Sequence, residues 1–305
     1  MTKSDLLKQI AEYEGPGIVP DQVPGRVLIL DGDGLCYDAA YTVETLDAGI
    51  LHIQSAVASL MRMTGCTSAR VHLTAKDCKK AGRLEIRAYK PYQAHRKGKP
   101  KPPLLEPLRE AITGLQTAST AVAYHLHHDV EADDAIVMDS ERLGQQGLVA
   151  SADKDLRQVR GPYLDMSTFE IDNGAGPGWL KLTRTSAGAW KLIGRGMVFF
   201  WAQMLMGDQA DNIQGLAPAP GKTRACGPAK AFKLLEGANE ADAARIVLGC
   251  YREIGQDPLP EAQLLYLLRH PDDNVLEYLN GLELPPELKR YLEDCRAREP
   301  HDATS

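Results

Sequence analysis

Acidic residues are concentrated in four short motifs, each of which follows a segment with the pattern of a strand or a helix. Carboxylates brought together repel one another unless cations neutralise them, and hard oxygen ligands favour Mg²⁺ or Mn²⁺ over Zn²⁺. Two such ions would activate water and stabilise the leaving oxygen of a phosphoryl displacement. The motifs are LDGDGL with Asp31 and Asp33, VEADD with Glu131, Asp133 and Asp134, SADKDL with Asp153 and Asp155, and MGDQADN with Asp208 and Asp211.

Strand and helix patterns alternate over residues 26–195 and predict an α/β fold with a mainly parallel central sheet flanked by helices. The run VLIL at 27–30 is typical of a strand buried on both faces. The carboxyl ends of parallel strands meet at one edge of a sheet, so we expect the carboxylates of the four motifs to converge on one crevice. Further strands are predicted at 69–73, 121–126, 148–151 and 162–171, and helices at 48–63, 104–118 and 131–143.

The pattern changes after Arg195, where strands become scarce and apolar residues recur at helical spacing. The segment FFWAQMLM at 199–206 has the character of a core helix rather than of a base-stacking surface. We therefore predict an N-terminal extension at 1–25, an α/β catalytic domain at 26–195 and a helical DNA-binding region at 196–305.

Composition excludes several classes of protein. The 305 residues include no apolar run long enough to cross a bilayer, and the charged N-terminus lacks the apolar centre of a signal peptide. The six cysteines form no CxxC pair, which argues against a zinc site or a disulfide framework. These features favour a cytoplasmic protein with reduced thiols.

The net charge of −6 hides an uneven distribution. Lys and Arg gather at 76–101 and again at 222–233, whereas the acids lie in the motifs above. An enzyme that uses cations on a nucleic acid needs both kinds of surface, one to hold the ions and one to hold the phosphates.

Over residues 26–236 the motifs resemble those of the 5′-nuclease family, which comprises flap endonucleases, phage 5′→3′ exonucleases and the nuclease domain of bacterial DNA polymerase I. ILDGDGL, VEADD, SADKDLRQV and MGDQADNIQG each match a metal-binding segment of that family. The resemblance implies two Mg²⁺ or Mn²⁺ ions. The implied ligands are Asp31, Glu131, Asp133, Asp134, Asp153, Asp155, Asp208 and Asp211, with Asp33 and Asp77 as further candidates. Asp77 is displaced by a few residues from the family's position.

The basic segment at 76–103 resembles the family's helical arch, through which the 5′ end of a single strand passes. Its family motif, YKxxR, implies catalytic roles for Lys90, Tyr92 and Arg96. Two registers are open, because Gln93 stands where the motif has Lys when Tyr92 and Arg96 are aligned, and Lys90 could reach the same phosphate.

CGPAKAF resembles the family's glycine-bearing helix–three-turn–helix motif, which grips the duplex backbone and can hold a K⁺ ion. The loop APAPGKTR stands as an insertion before it. The implied DNA contacts are Lys97, Lys99, Lys101, Lys222, Arg224, Gly227, Ala229 and Lys230.

The resemblance implies a monomeric enzyme that hydrolyses DNA at a free 5′ end, a nick or a 5′ flap, in phage DNA replication. RNA of RNA–DNA hybrids is a further expected substrate, and no membrane partner is expected. Two alternatives stay open at this point: a haloacid-dehalogenase-type phosphatase that uses Asp31 and Asp33, and a member of the same fold that binds DNA without cutting it. The cluster HLHHD, with His125, His127 and His128, is set aside because such clusters are seldom metal sites.

Overall fold

A computed structural model of the protein describes residues 21–115, 121–166, 168–174, 176–221, 223 and 225–298. The chain divides into two compact units. Unit 1 consists of Met1–Ala81 and Lys99–Asn173, and unit 2 consists of Gly82–Gly98 and Gly174–Ser305. Each unit has its own hydrophobic core.

Unit 1 is built on a six-stranded sheet in the order β3-β2-β1-β4-β5-β6. All neighbouring strands are parallel except β5 and β6, which are antiparallel. The predicted fold class, a mainly parallel sheet flanked by helices, is therefore confirmed. The strands are β1 (Val27–Asp31), β2 (Ser68–Thr74), β3 (Val122–His127), β4 (Gly147–Ser151), β5 (Tyr163–Asp165) and β6 (Glu170–Asp172), and the helices are α1 (Gly32–Thr42), α2 (Leu46–Thr64), α3 (Leu105–Gly114) and α4 (Ala132–Leu143).

The sheet of unit 1 is covered on both faces, which explains the continuous apolar run of β1. Leu28 and Leu30 belong to the core cluster that also contains residues of α1, α2 and α3. Ile29 is fully buried and points the other way, because successive side chains of a strand alternate between faces. Helix α4 packs against β1, β2 and β4. This arrangement brings the ends of β1 and β4 to the same edge as the start of α4.

The glycine-rich sequence after β1 passes directly into a helix. Helix α1 begins at Gly32, and Asp31 caps it by accepting a hydrogen bond from the Gly34 amide at 3.0 Å. A Cβ atom at Gly32 would lie 2.8 Å from the backbone oxygen of His72, so only glycine allows the strand to pass directly into the helix. The carboxylates of this motif are thereby fixed on a strand end and a helix start.

Unit 2 combines an antiparallel hairpin with helices. The hairpin was not predicted as an element, whereas the predicted core character of 199–206 is confirmed, with residues 199–205 all buried. The strands of the hairpin are β7 (Trp179–Arg184) and β8 (Trp190–Arg195), and the helices are α5 (Met197–Met206), α6 (Pro228–Leu235), α7 (Glu240–Glu253), α8 (Leu259–Leu265), α9 (Val275–Asn280) and α10 (Pro286–Ala297).

The basic segment at 76–103 is not helical in the way the resemblance implies. Residues 76–103 contain two short 3₁₀ helices, Lys80–Glu85 and Ala94–Arg96, and no α-helix, so the segment is not the helical arch predicted for it. Lys80, Ala81 and Gln93 adopt positive φ angles, which interrupt helical geometry. The prolines at 91, 100, 102 and 103 prevent a continuous helix as well.

Two simpler expectations concern the thiols and the membrane. All six cysteines are free. Burial raises the pKa of the Cys36 thiol to about 12 and that of Cys226 to about 11. Within the described part of the chain, no helix is both long and apolar enough to cross a membrane.

Candidate metal centre

The first two carboxylates of the site lie where β1 passes into α1. Asp31 is held by its capping hydrogen bond. Asp33 forms an ion pair with Arg109 at 2.8 Å and accepts a hydrogen bond from the Thr74 amide. Burial raises the pKa of Asp33 and the charge of Asp31 raises it further, whereas Arg109 opposes both effects. Asp33 is therefore tied to a protein cation.

The second group of acids opens α4. Glu131 caps the helix in a reciprocal capping box with Asp134, whose carboxylate accepts from the Glu131 amide at 3.3 Å. Lys80 donates to a Glu131 carboxylate oxygen at 2.7 Å. Asp134 is fully buried, whereas Asp133 next to it is partly exposed. The sequence EADD thus serves helix initiation with Glu131 and Asp134 and leaves Asp133 on the face toward the other acids.

The third group follows β4. The Asp153 amide donates to the hydroxyl of Ser151 at 2.9 Å, and the Asp155 amide donates to the Asp153 carboxylate at 3.0 Å. The hydroxyl of Tyr163 anchors the strand end by donating to the Ser151 carbonyl at 2.6 Å. Lys154 lies 3.5 Å from Asp155. These local bonds fold the DKD sequence into a tight turn that holds both carboxylates at the end of the strand.

The acids of these three segments converge on Asp133. Its pKa is raised well above the usual range by burial and by the negative charges of Asp153, Asp31, Glu131 and Asp155, in that order. These four neighbours come from three different strand–helix junctions, as the sheet-edge argument predicts. We refer to Asp31, Glu131, Asp133, Asp153 and Asp155 as the acid cluster.

The donor set of the acid cluster suits a hard divalent cation. All five side chains offer carboxylate oxygens, the ligands of Mg²⁺ and Mn²⁺. Burial and the negative charge of the neighbouring carboxylates both raise the pKa of Asp133, although Lys80 and Lys154 lie beside Glu131 and Asp155. Bound cations would relieve this repulsion.

In unit 2 the sequence GDQADNIQG forms a closed loop. Asp208 and Ile213 exchange backbone hydrogen bonds of 2.8 and 2.7 Å. Gly207 and Gly215 close the loop with positive φ angles, and a Cβ atom on Gly215 would lie 2.2 Å from the Gly207 nitrogen. The glycines of this motif are therefore required by backbone contact. The Asp208 side chain is 2% exposed and accepts from the Ala210 amide at 2.8 Å.

Residues of the basic segment contact this loop at Asp211. Arg96 pairs with the Asp211 carboxylate at 2.5 Å and donates twice to the Ala210 carbonyl. Gln93 donates to the same carboxylate at 2.9 Å, and its backbone amide donates to the Asp211 carbonyl. Tyr92 is 8% exposed and belongs to the core of unit 2. Of the residues matched to the arch motif, Arg96 and Gln93 therefore contact Asp211, and Tyr92 anchors the segment.

The remaining predicted DNA contacts lie on the surface. Lys90, Lys97 and Lys99 are exposed, and Lys101 pairs with Glu106 at 3.1 Å. Gly227 caps α6, with Ala229 and Lys230 exposed in its first turn. Lys222 and Arg224 fall outside the described residues. The helix–three-turn–helix motif and its K⁺ ion stay predictions.

The structure also shows partners that the motifs did not indicate. Arg109 pairs with Asp33 across 76 positions of sequence, and Lys80 pairs with Glu131 across 51. No local pattern identifies either pair, because each depends on the packing of separate elements. Asp77, a further candidate ligand, is instead 78% exposed at its side chain and pairs with His128.

Comparisons with known proteins give structural matches only. No protein-family model matches the sequence, and no curated protein sequence matches it. Solved structures from bacteriophage T5 align over 89% of this chain and 98% of theirs. One is a protein co-crystallised with metal ions (14% identity, TM-score 0.49), one a flap endonuclease complex with DNA and metal ions (15%, 0.49), and one a 5′-exonuclease with bound zinc (14%, 0.46). At these values the alignments assign no role to any residue of this chain.

Proposed function

We propose that this protein is a divalent-metal-dependent 5′-nuclease that hydrolyses phosphodiester bonds of DNA, as a 5′→3′ exonuclease and flap endonuclease in DNA replication. The observation that carries the proposal is the acid cluster, in which carboxylates from three strand–helix junctions surround Asp133 at the edge of a parallel sheet. The order and spacing of the motifs, which resemble those of the 5′-nuclease family, support the same conclusion.

Asp31, Glu131, Asp133, Asp153 and Asp155 would hold two Mg²⁺ or Mn²⁺ ions. When bound, these cations supply the positive charge that favours attack of water on a phosphodiester and departure of the leaving oxygen. The carboxylates fix the position of that charge, because Asp31 and Asp153 are themselves held by backbone amides. Asp134 supports the start of α4. The assignment of Asp208 and Asp211 as further ligands is a prediction of the GDxxDN motif.

The basic groups have roles in placing the DNA. Lys80 and Lys154, which lie beside carboxylates of the acid cluster, are positioned to orient phosphate oxygens. Arg96 is partly exposed while paired with Asp211, and it can exchange that pairing for a phosphate. At the start of α6, Gly227, Ala229 and Lys230 are exposed. The amides of this first turn lie at the positive end of the helix dipole and can donate hydrogen bonds to phosphates of the duplex. These contacts recognise the DNA backbone and not its sequence.

A gel assay with 5′-labelled duplex, nicked and flapped DNA tests the proposal, with Mg²⁺, Mn²⁺ or EDTA present. We expect labelled mononucleotides or short 5′ fragments with either metal and none with EDTA. The proportion of the two products distinguishes exonuclease from flap cleavage, and a strand with a 5′ RNA segment tests hybrids. Absence of cleavage on every substrate with both metals would contradict the proposal, and phosphatase substrates would then be tested.

A matched pair of variants links activity to the acid cluster. Asp153→Asn removes one charge from the cluster and is expected to abolish cleavage while DNA binding stays intact or becomes tighter. Asp47→Asn removes one charge from an exposed position in the first turn of α2 and is expected to leave cleavage unchanged. Equal activity in both variants would remove Asp153 from the site.

A further inference from the structure

The β7–β8 hairpin of unit 2 carries basic side chains and no acidic one, with Lys181, Arg184 and Lys191 exposed and Arg195 buried. Residues 174–207 include Lys181, Arg184, Lys191 and Arg195 and contain no Asp or Glu, although the whole chain has a net charge of −6. An element that concentrates positive charge in an acidic protein favours contact with a polyanion. None of the motifs used above includes this hairpin.

The register of the hairpin separates its two faces. Lys181 lies opposite Ile193 and Thr183 lies opposite Lys191, so these side chains share one face with Trp179. Leu180, Leu182 and Leu192 project from the other face and pack on the core of unit 2. We refer to the face with Trp179, Lys181 and Lys191 as the outer face of the hairpin.

The outer face carries an aromatic ring beside cations. Trp179 is 41% exposed, and Lys181 and Lys191 are both exposed. On an antiparallel pair these lysines are diagonal neighbours, roughly 7–8 Å apart at the backbone, and can contact phosphates of the same strand. A second exposed tryptophan, Trp190, lies on the opposite face, where the Arg184 guanidinium covers its ring at 3.8 Å.

The two lysines of the outer face differ from other lysines of the protein. Lys79, Lys80 and Lys101 each make an ion pair with a carboxylate at 2.7–3.1 Å. Among the described residues, no such pair involves Lys181 or Lys191. These two lysines can therefore bind a ligand without first breaking an ion pair with a protein carboxylate.

A cleft adjoins the outer face at Trp179. It has a volume of about 310 Å³, and its walls include Trp179, Val198 and Phe232, with Glu236 and Asn239 at its polar side. Phe232 belongs to α6, the helix whose first turn is proposed to bind the duplex backbone. A flat ring with a polar edge, such as an unpaired nucleobase, suits a cleft of this size and lining.

We propose that the outer face of the β7–β8 hairpin binds an unpaired stretch of DNA, with a base stacked on Trp179 and phosphates held by Lys181 and Lys191. A single strand is favoured over a duplex because an exposed indole ring can stack only on a base that is not already stacked in a helix. This inference rests on the proposed function, since it assigns a strand of the same substrate to a second surface.

Tryptophan fluorescence tests the stacking contact directly. The chain has three tryptophans, of which Trp201 is fully buried and Trp190 lies on the other face. Titration with an oligothymidylate in EDTA, which withholds the cations needed for cleavage, should quench the emission of the wild type. The quenching should be lost in Trp179→Phe and retained in Trp190→Phe, which changes the same residue type in the same hairpin. Quenching that persists in Trp179→Phe would overturn the stacking contact.

The lysines are tested by affinity. The double variant Lys181→Gln, Lys191→Gln should bind the oligothymidylate roughly tenfold more weakly, and the slope of log affinity against log salt should fall by about 1.4, at about 0.7 for each lost phosphate contact. The affinity for a blunt duplex should be unchanged. Lys289→Gln removes charge from an exposed position on α10 and should leave both affinities unchanged. An unchanged slope in the double variant would overturn the proposal.

Cleavage of a nicked duplex separates this inference from the proposed function. If the wild type neither binds nor cuts any DNA, the proposed function fails, and the hairpin proposal fails with it. If the wild type cuts the nicked duplex and the hairpin variants keep the wild-type affinity for single strands, only the hairpin proposal is overturned.

Discussion

Unit 1 contains two clusters of polar side chains, and they differ in how their charges are balanced. The acid cluster joins five carboxylates, and burial followed by the charges of four of them raises the pKa of the fifth, Asp133. The second cluster, which we call the histidine layer, consists of His72, His125, His127 and Asp139. His72 Nδ1 lies 2.9 Å from His127 Nε2, and its ring stacks on those of both other histidines.

In the histidine layer, the charge of Asp139 is paired within the protein. Burial alone would raise the pKa of Asp139, but its contacts with His72, at 3.4 Å, and with Arg70 outweigh burial, so the pKa is lowered. Arg70 and Arg142 pair with Asp139 at 2.7 and 2.5 Å. Burial, followed by the charges of His72 and His125, lowers the pKa of His127 to about 4, so this ring is neutral at pH 7.

The comparison contrasts a polar cluster whose carboxylate pairs with cations of the protein with one proposed to bind metal ions. In the histidine layer, cations of the protein meet the buried carboxylate. In the acid cluster, four carboxylates surround a fifth, and we propose that bound cations balance them. Residue types with metal-binding capacity occur in both, so charge balance is the informative difference.

The largest expected difference between the clusters is in catalysis. Asp153→Asn should lower the rate of DNA cleavage about 10³-fold or more, the scale of several kcal/mol of lost transition-state stabilisation. His125→Gln, in the histidine layer, should change the rate less than about threefold, since it removes no proposed ligand. Single-turnover cleavage of a flapped substrate measures both, and a comparable loss in His125→Gln would erase the distinction.

The second difference is in stability. Asp139→Asn removes the charge of a buried carboxylate that pairs with the partly exposed Arg70 and the exposed Arg142, and it should reduce the free energy of unfolding by about 1–3 kcal/mol. The control Asp129→Asn breaks an ion pair with Lys79 in which both side chains are more than three-quarters exposed, and it should have a far smaller effect. Urea denaturation compares the two variants. Equal effects would mean that the histidine layer has no structural role.

Acid should destabilise the histidine layer. The folded-state pKa of His127 is lowered from 6.5 to about 4, so the unfolded chain takes up the proton first as pH falls. The stability contributed by the neutral ring is complete above pH 6.5 and is lost as pH falls toward 4, by up to about 3 kcal/mol. The variant His127→Gln should have a shallower decline in unfolding free energy over this interval. A slope identical to wild type would contradict the assignment.

The acid cluster should respond to pH in the opposite direction when cations are withheld. Because the folded-state pKa of Asp133 is raised, folding disfavours the charge of this carboxyl, so its cost to stability is present at pH 7 and disappears as pH falls below the unfolded-state pKa. Asp133→Asn should therefore raise the melting temperature in EDTA at pH 7 by about 3–5 °C. Added Mg²⁺ should stabilise the wild type and not the variant. A lower melting temperature for the variant in EDTA would argue against uncompensated repulsion.

The sequence predicted the acid cluster because its residues follow strands whose apolar pattern is local and strong. Asp31 follows the buried run of β1, and Asp153 follows that of β4. Parallel pairing then brings these ends to one edge without further information. It could not predict that Glu131 and Asp134 form a capping box or that Asp33 is neutralised by Arg109, because these roles depend on the final positions of the side chains.

Two features were missed for different reasons. The histidine layer depends on the register that places His72 opposite His125, which no local pattern specifies. The β7–β8 hairpin, by contrast, had a local signal, since WLKLTR and WKLIGR alternate apolar and polar residues around a short polar connection containing Gly188. The strong helical pattern of α5 begins directly after the hairpin, so the predicted domain boundary was placed at Arg195. The hairpin was therefore counted with the α/β region.

A crystal soaked in Mn²⁺, with anomalous scattering measured at an energy where manganese absorbs, tests the central claim most directly. The account predicts anomalous density in contact with carboxylates of the acid cluster, centred near Asp133, and none at the histidine layer. Manganese bound at His72, His125 or His127, or an acid cluster without density at a saturating concentration, would contradict it.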